Sequence, residues 1–294
     1  MGTDARIIFS GTGIEAARAA AELTTAEIER LEKALSLFRA ESEITRLNRD
    51  GILPAATGDM LRAVQLGLDI ASATNGLFDP TVQALWECYV DWFSVSRNGD
   101  IPPQPLVAKA LNAVDWRRIR LSGNSIALGD NQRITLNGLG QGYVTDRIAN
   151  LLRGRGFNHV LVDLGEQRAL GIRHDGIPWL VARHGLPAIE LRHGALATSE
   201  GAGCILGAKG AVHHLFDPRT GHSSHRWQTL TVHHRSAAVA DALSTALYSA
   251  SPDEIANVVT KLDGLIVWAS DRSGRESRWQ STIGATGAKS MDAA

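Results

Sequence analysis

Leu136-Asn137-Gly138-Leu139-Gly140-Gln141-Gly142-Tyr143 puts a glycine at every second position of a short run. Glycines there let backbone N–H and C=O groups approach a phosphate closely. A helix starting at about Tyr143 and running to Leu152 would add its N-terminal dipole. With a strand at Ile134–Leu136 before it, the segment approximates a dinucleotide fingerprint whose ribose ligand would be Asp163, at the end of the next strand. Tyr143 stands where the third glycine of that fingerprint would fall. The plainer alternative is a Gly-rich turn with no ligand. A second group is Ala240-Asp241-Ala242-Leu243-Ser244-Thr245. On a helix, Asp241 and Thr245 are four residues apart and project from one face. A carboxylate and a hydroxyl so placed suit a hard cation such as Mg²⁺, which keeps waters and takes its other ligands from substrate phosphates. Against this, an Asp near a helix start often serves only the helix dipole. Third is Val212-His213-His214-Leu215-Phe216-Asp217-Pro218-Arg219-Thr220-Gly221. Neighbouring side chains of a strand face opposite sides, so His213 and His214 cannot chelate one metal, but one of them can reach a site whose direction the following turn fixes. His233-His234 alternates in the same way without such a turn and reads as structural. Last, Leu77-Phe78-Asp79 precedes a helix. Asp79 reads either as its N-cap or, with Leu77 and Phe78, as a seat for a flat heteroaromatic ring.

The elements that must position these residues follow from periodicity. Glu15 to Phe38 lacks Pro and Gly and repeats Ile28, Leu31 and Leu35 at helical spacing. A second helix runs from about Thr57 to a C-cap at Asn75-Gly76, and a third covers Thr81 to Asp91. Beyond a Pro-rich connection at Ile101–Pro105, Arg118–Leu121 and Ser125–Leu128 read as a hairpin. Short strands then dominate, at Ile134–Leu136, His159–Val162, Trp179–Ala182, Ala188–Leu191, Val212–Phe216 and Thr229–His233. Helices at about Ala237–Ser249 and Asp253–Leu262 precede a last strand at Leu265–Trp268. Helices early and strands late predict an α+β fold in a single domain over 1–283, followed by a small, polar and disordered tail at Gly284–Ala294.

Composition narrows the function classes. The chain has 294 residues, with 30 Lys and Arg against 31 Asp and Glu, a net charge of -1. That balance supplies no field for nucleic acid or an anionic membrane surface. No run approaches the ~18 apolar residues of a membrane-crossing helix. Cys88 and Cys204 form no CxxC pair, which argues against a disulfide scaffold or a thiolate zinc site. Arg6–Phe9 reads as a strand close to the start, with no visible export signal before it. Either the protein is cytoplasmic or a leader has been removed.

Taken in order, these segments resemble the FAD:protein FMN transferases, the ApbE family. The resemblance is carried by Met1-Gly2-Thr3, Ser42-Glu43-Ile44 with Leu47-Asn48, Gly76-x-Phe78-Asp79-x-Thr81, Asn137 to Tyr143 with Asp146, Leu164-Gly165, Thr198-Ser199, His214-x-x-Asp217-Pro218-Arg219-Thr220-Gly221 and Ala240-Asp241-Ala242-x-x-Thr245. It implies N-terminal helices packed on a mainly antiparallel, T-fold-like sheet. It also implies a reaction in which FAD binds with Mg²⁺, a threonine hydroxyl of a partner protein attacks the FMN-side phosphorus, and AMP leaves. On this match Mg²⁺ is held by the carbonyl of Gly138 with Asp241 and Thr245, and His214 is the base. The flavin nucleotide contacts Met1, Phe38, Leu77, Phe78, Asp79, Thr135, Gln141 and Phe216. Phosphoryl transfer needs positioning and charge neutralisation, and a Gly-rich loop with an oxygen-ligated cation supplies both.

Some positions depart from the family pattern. Thr135 replaces an acidic residue, Gln141 a lysine and Phe38 a tyrosine; Leu164-Gly165-Glu166 replaces a double glycine, and Glu200 stands where glycine is common. Leu-Asn-Gly-x-x-Gln-Gly with Asp-Leu-Gly-Glu resembles the branch associated with nitrous oxide reductase maturation (NosX-like), which implies a membrane-bound regulator as acceptor. Exported relatives imply a periplasmic location and a removed leader. A hydrolase cutting FAD to FMN and AMP, a flavin carrier without chemistry and a nicotinamide oxidoreductase using the Gly138 loop are the competing expectations. Gly284-Ala285-Thr286 faintly resembles a flavinylation acceptor core, but a small-residue tail yields such triplets by chance.

Overall fold

Strand Thr229–His234 carries Leu230 and Val232 alternating with Thr231 and His233, and five of its six residues are buried. A strand buried along both faces belongs inside a sheet covered on both sides. The computed structural model, which describes residues 5–96, 100–183, 185–207 and 212–281, bears this out. Its helices are α1 (Ile14–Leu35), α2 (Glu43–Asp50), α3 (Gly58–Ala73), α4 (Gln83–Val95), α5 (Gln104–Leu111), α6 (Gly140–Gly154), α7 (Ala237–Leu247) and α8 (Pro252–Lys261). Its strands are β1 (Arg6–Phe9), β2 (Ile52–Leu53), β3 (Arg120–Ser122), β4 (Ser125–Ala127), β5 (Val160–Asp163), β6 (Gln167–Leu170) and β7 (Trp179–Arg183). They continue with β8 (Leu186–Leu191), β9 (Gly194–Glu200), β10 (Ile205–Leu206), β11 (Val212–His213), β12 (Thr229–His234), β13 (Ile266–Ser270) and β14 (Glu276–Gln280). The main sheet has the order β1-β5-β6-β9-β12-β13-β14, and every pairing in it is antiparallel. Helices α1, α3, α6 and α7 share one continuous core with that sheet, so the α+β expectation holds.

Helix α7 is the centre of the packing. Every one of its residues except Thr245 is buried, and five of the eleven are alanine. A helix apolar almost all round must lie inside the protein, and its small side chains let neighbours come close. At Gly142, a Cβ would stand 2.3 Å from the Ala237 carbonyl oxygen. Substituting alanine there forces α6 off α7, and Gly142→Ala is expected to cost about 3 kcal/mol, measurable by urea denaturation. The two helices also cap each other. Asp146 of α6 accepts from Ser236 Oγ, Ala237 N and Ala238 N at the start of α7, while Asp241 of α7 accepts from Gly142 N in the first turn of α6 at 3.0 Å. Each helix N-terminus thus ends on a carboxylate fixed by the other. Arg168 of β6 pairs with Asp146 from the sheet side.

Several expectations need correction. Ile134–Leu136 is not a strand. Asn48 replaces the ladder partner, its Oδ1 accepting from Ile134 N at 2.7 Å and its Nδ2 donating to Ile134 O at 2.8 Å. Without that strand, and with only antiparallel pairing in the main sheet, the dinucleotide βαβ reading fails. The Pro-rich connection runs directly into α5, with Pro105 in its first turn, where the missing N–H costs nothing. Helix α2, capped by Ser42, and strands β6, β9 and β14 carried no recognised signal, and β14 follows the strand expected to be last. The strand expected over Val212–Phe216 stops at His213. Met1, the tail at Gly284–Ala294 and Thr286 lie outside the described residues.

Candidate active site

The loop before α6, the end of β9, the residues after β11 and the exposed side of α7 converge on a cavity of about 550 Å³. Thr135, Gly138 and Gln141 come from the loop, Thr198, Ser199 and Glu200 from β9, His214 and Phe216 from the β11 side, and Asp241 and Thr245 from α7. Val82, Gln83 and Trp86 at the start of α4 and Phe38 after α1 form its outer wall. An adjoining apolar cavity of about 360 Å³ shares Phe38, Asn137, Gln141 and His214 and adds Leu31, Leu35 and Val144. A third and larger cavity, about 910 Å³ between α4 and α5, contains none of the candidate catalytic, flavin-binding or metal-binding residues.

Each element holds its side chain by local chemistry. Thr245 is the one residue of α7 that is not buried; it reaches the cavity one turn after Asp241, as their spacing predicts. A Cβ on Gly138 would lie 3.0 Å from Thr245 Cγ2 and 3.2 Å from the Phe78 ring, so a side chain there would displace Thr245. Thr135 Oγ1 accepts from Asn137 N at 3.1 Å and holds the turn. Gly165, at φ +106°, fits its backbone against Gln141, whose Cδ would be 3.0 Å from a Cβ. Phe38 is 86% exposed at the rim. Phe216 stacks at a tilt on Tyr89 with centroids 4.9 Å apart.

The histidine pair divides as alternation predicts. His213 Nε2 donates to the Ser224 carbonyl at 2.7 Å and its Nδ1 accepts from Leu215 N at 3.3 Å, so both nitrogens are spent on structure. Burial lowers its pKa to about 4. His214 lines the cavity. Its Nδ1 lies 3.3 Å from the Cys204 carbonyl. A carbonyl can only accept, so Nδ1 carries the proton and Nε2 is the basic nitrogen. Burial holds its pKa below the ordinary histidine value, only partly offset by that carbonyl. His233 donates Nε2 to the His193 carbonyl and His234 accepts from Ser236 N, the structural roles expected of them.

Leu77, Phe78 and Asp79 are not on the cavity wall. They are buried behind it. Asp79 Oδ1 accepts from Thr81 N and Thr81 Oγ1, and Oδ2 from Trp116 N. That carboxylate is the N-cap of the next turn. Phe78 packs behind Gly138 and so supports the loop.

Electrostatically the cavity is acidic. Glu166, Glu200 and Asp241 line it, and no Lys or Arg does among the described residues. Desolvation pushes the carboxyls of Asp241 and Glu166 upward, and for Glu166 the nearby Asp241 adds to the effect. Burial thus disfavours the charged form of both carboxyls, and a cation meeting them would favour it. Among the described residues no group of three or more His, Cys, Asp or Glu is placed to hold a metal. The donor set of Asp241 carboxylate, Thr245 hydroxyl and Gly138 carbonyl is all hard oxygen, and it fits a cation that completes its shell with water and substrate oxygens. Glu166, Glu200, Cys204 and Trp86 also line the cavity, beyond the site residues the sequence points to. In the sequence Glu166 and Glu200 stand out only as departures from the family pattern, and nothing local marks the other two.

Comparison with known proteins agrees with this geometry. The ApbE family model matches residues 1–268. A FAD:protein FMN transferase of Vibrio cholerae is 26% identical over 235 residues, covering 75% of this chain and 70% of that protein. One of Klebsiella pneumoniae is 26% identical over 297 residues, covering 93% and 83%. In fold, the chain matches the flavin transferase ApbE from Vibrio cholerae with a TM-score of 0.80 at 21% identity, covering 96% and 94%. It matches the ApbE protein from Thermotoga maritima with a TM-score of 0.83 at 23% identity, covering 94% of each. A family model spanning this much of the chain, over a cavity that gathers the loop, the helical Asp and Thr and the histidine, places the protein in the ApbE family.

Proposed function

We propose that this protein is an FAD:protein FMN transferase, moving FMN from FAD to a threonine hydroxyl of an acceptor protein. The observation that carries this reading is the meeting of Gly138, His214, Asp241 and Thr245 on one cavity from three separate segments of the chain. In the reaction, the threonine oxygen forms a bond to the FMN-side phosphorus while the bond to the bridging oxygen breaks and AMP departs. The threonine proton passes to Nε2 of His214, held in line by the Nδ1–H contact to Cys204. Asp241, Thr245 and the Gly138 carbonyl would hold Mg²⁺, which neutralises charge on the phosphate oxygens when bound. The N-terminus of α6, opening at Gly140, adds its dipole to the same end of the cavity. Phe38, Trp86 and Phe216 offer aromatic faces for the flavin.

The test is incubation with FAD, Mg²⁺ and a threonine-containing acceptor, read by mass spectrometry. A covalent FMN adduct on the acceptor with stoichiometric AMP supports the transferase. Free FMN formed equally fast without acceptor supports the hydrolase, and FAD bound but intact supports the carrier. Thr245→Ala is expected to raise the Mg²⁺ concentration for half-maximal transfer about tenfold while leaving the fold intact, since it removes one neutral ligand of several. The Leu-Asn-Gly-x-x-Gln-Gly and Asp-Leu-Gly-Glu pattern supports, as acceptor, a membrane-bound regulator of nitrous oxide respiration met on the periplasmic side. Co-expression with such a regulator, followed by cell fractionation and in-gel flavin fluorescence, tests both parts.

A further inference from the structure

We propose that Glu166 is a further oxygen donor to the divalent cation at this site, standing beside Asp241 and tightening a site that Gly138, Asp241 and Thr245 would otherwise hold alone. The inference rests on the metal-assisted reading above and adds to it a residue that reading does not use. Glu166 sits in the three-residue turn between β5 and β6, whose strands pair Asp163 with Gln167. The turn is held by Leu164 N donating to Glu166 O at 3.3 Å and by Thr145 Oγ1 donating to the same carbonyl at 3.4 Å. The side chain lines the cavity with Asp241, Gly138 and Thr245, yet the residue is only 6% exposed. Its Oε2 is buried and has no hydrogen-bond partner. A buried carboxylate oxygen without a donor is costly unless a cation meets it. Neither Lys nor Arg is among the described residues on this wall, and Gln141, packed against Gly165, is neutral. A second carboxylate in the set would raise affinity for a hard divalent cation in the absence of substrate.

The test uses the whole chain without FAD. Mn²⁺ binding, followed by electron paramagnetic resonance of the free ion, is measured for wild type, Glu166→Gln and Asp241→Asn, with melting temperatures recorded with and without Mg²⁺. Glu166→Gln is expected to weaken Mn²⁺ binding by about 10- to 100-fold. It should melt no lower than wild type in the absence of metal, because the amide keeps the shape of a side chain whose Oε2 has no hydrogen-bond partner to lose, and the stabilisation Mg²⁺ gives wild type should shrink. Mn²⁺ affinity unchanged in Glu166→Gln but lost in Asp241→Asn overturns this assignment and leaves the metal-assisted reading standing. A lower metal-free melting temperature with an undiminished Mg²⁺ response assigns Glu166 a structural role and also overturns it. A wild-type chain that binds no Mn²⁺ removes both.

Discussion

Asp241→Ala is expected to abolish FMN transfer, to below about one-thousandth of the wild-type rate, and raising Mg²⁺ is expected not to restore it. Two losses combine. The charged ligand of the cation set disappears, and so does the acceptor that Gly142 N meets at 3.0 Å in the first turn of α6. The second loss disturbs the loop that carries Gly138 and Gln141, so alanine alone does not separate chemistry from architecture. Asp241→Asn does. An asparagine carbonyl still accepts from Gly142, and it adds no charge to a site where burial already disfavours one. Asp241→Asn is therefore expected to fold, to melt at or above the wild-type temperature without metal, and still to lose transfer by about three orders of magnitude, worth about 4 kcal/mol of transition-state stabilisation. Transfer assays with the acceptor, run beside thermal melts, check both halves. An Asp241→Asn variant retaining more than a tenth of wild-type transfer would be inconsistent with a cation held at this position.

The positions of Asp241 and Thr245 were legible in the sequence because a helix repeats its face every three or four residues, and no other element had to be known. The same holds for His213 and His214, neighbours at the end of β11, of which one ring is buried in structural hydrogen bonds and the other lines the cavity. What the sequence could not show was which parts of the chain meet. Strand β9 supplies Thr198, Ser199 and Glu200 to the site, but Gly-Ala-Leu-Ala-Thr-Ser-Glu has few β-branched or aromatic residues to mark it as a central strand. Its place is set by pairing with β12 on one side and β6 on the other. Leu77, Phe78 and Asp79 show the opposite difficulty. A turn rich in apolar residues with one acceptor suits a ligand and suits a cap equally, and only the three donors that reach Asp79 decide which it is here. Glu166 had no periodic signal at all. Its significance comes from burial and from Asp241, which lies 75 positions further along.

The role of His214 yields the second large effect and a sharper test of it. His214→Ala is expected to lower the transfer rate by about 10²- to 10⁴-fold, the usual worth of a positioned general base, while FAD and Mn²⁺ still bind. The pH dependence gives the discriminating readout. A base works only when unprotonated, so activity falls as pH drops through its pKa. Burial favours the neutral ring and holds that pKa below the ordinary value of 6.5. The acidic limb of kcat/KM should accordingly lie below pH 6.5 in wild type, with full activity at neutral pH, and should vanish from the residual activity of His214→Ala. His213→Ala provides the contrast. Both its ring nitrogens hold backbone groups, so its loss should lower the melting temperature and leave the acidic limb where it was. If the limb persisted in His214→Ala, the proton would have to leave the threonine by another route, with Glu200 on the same wall the next group to test.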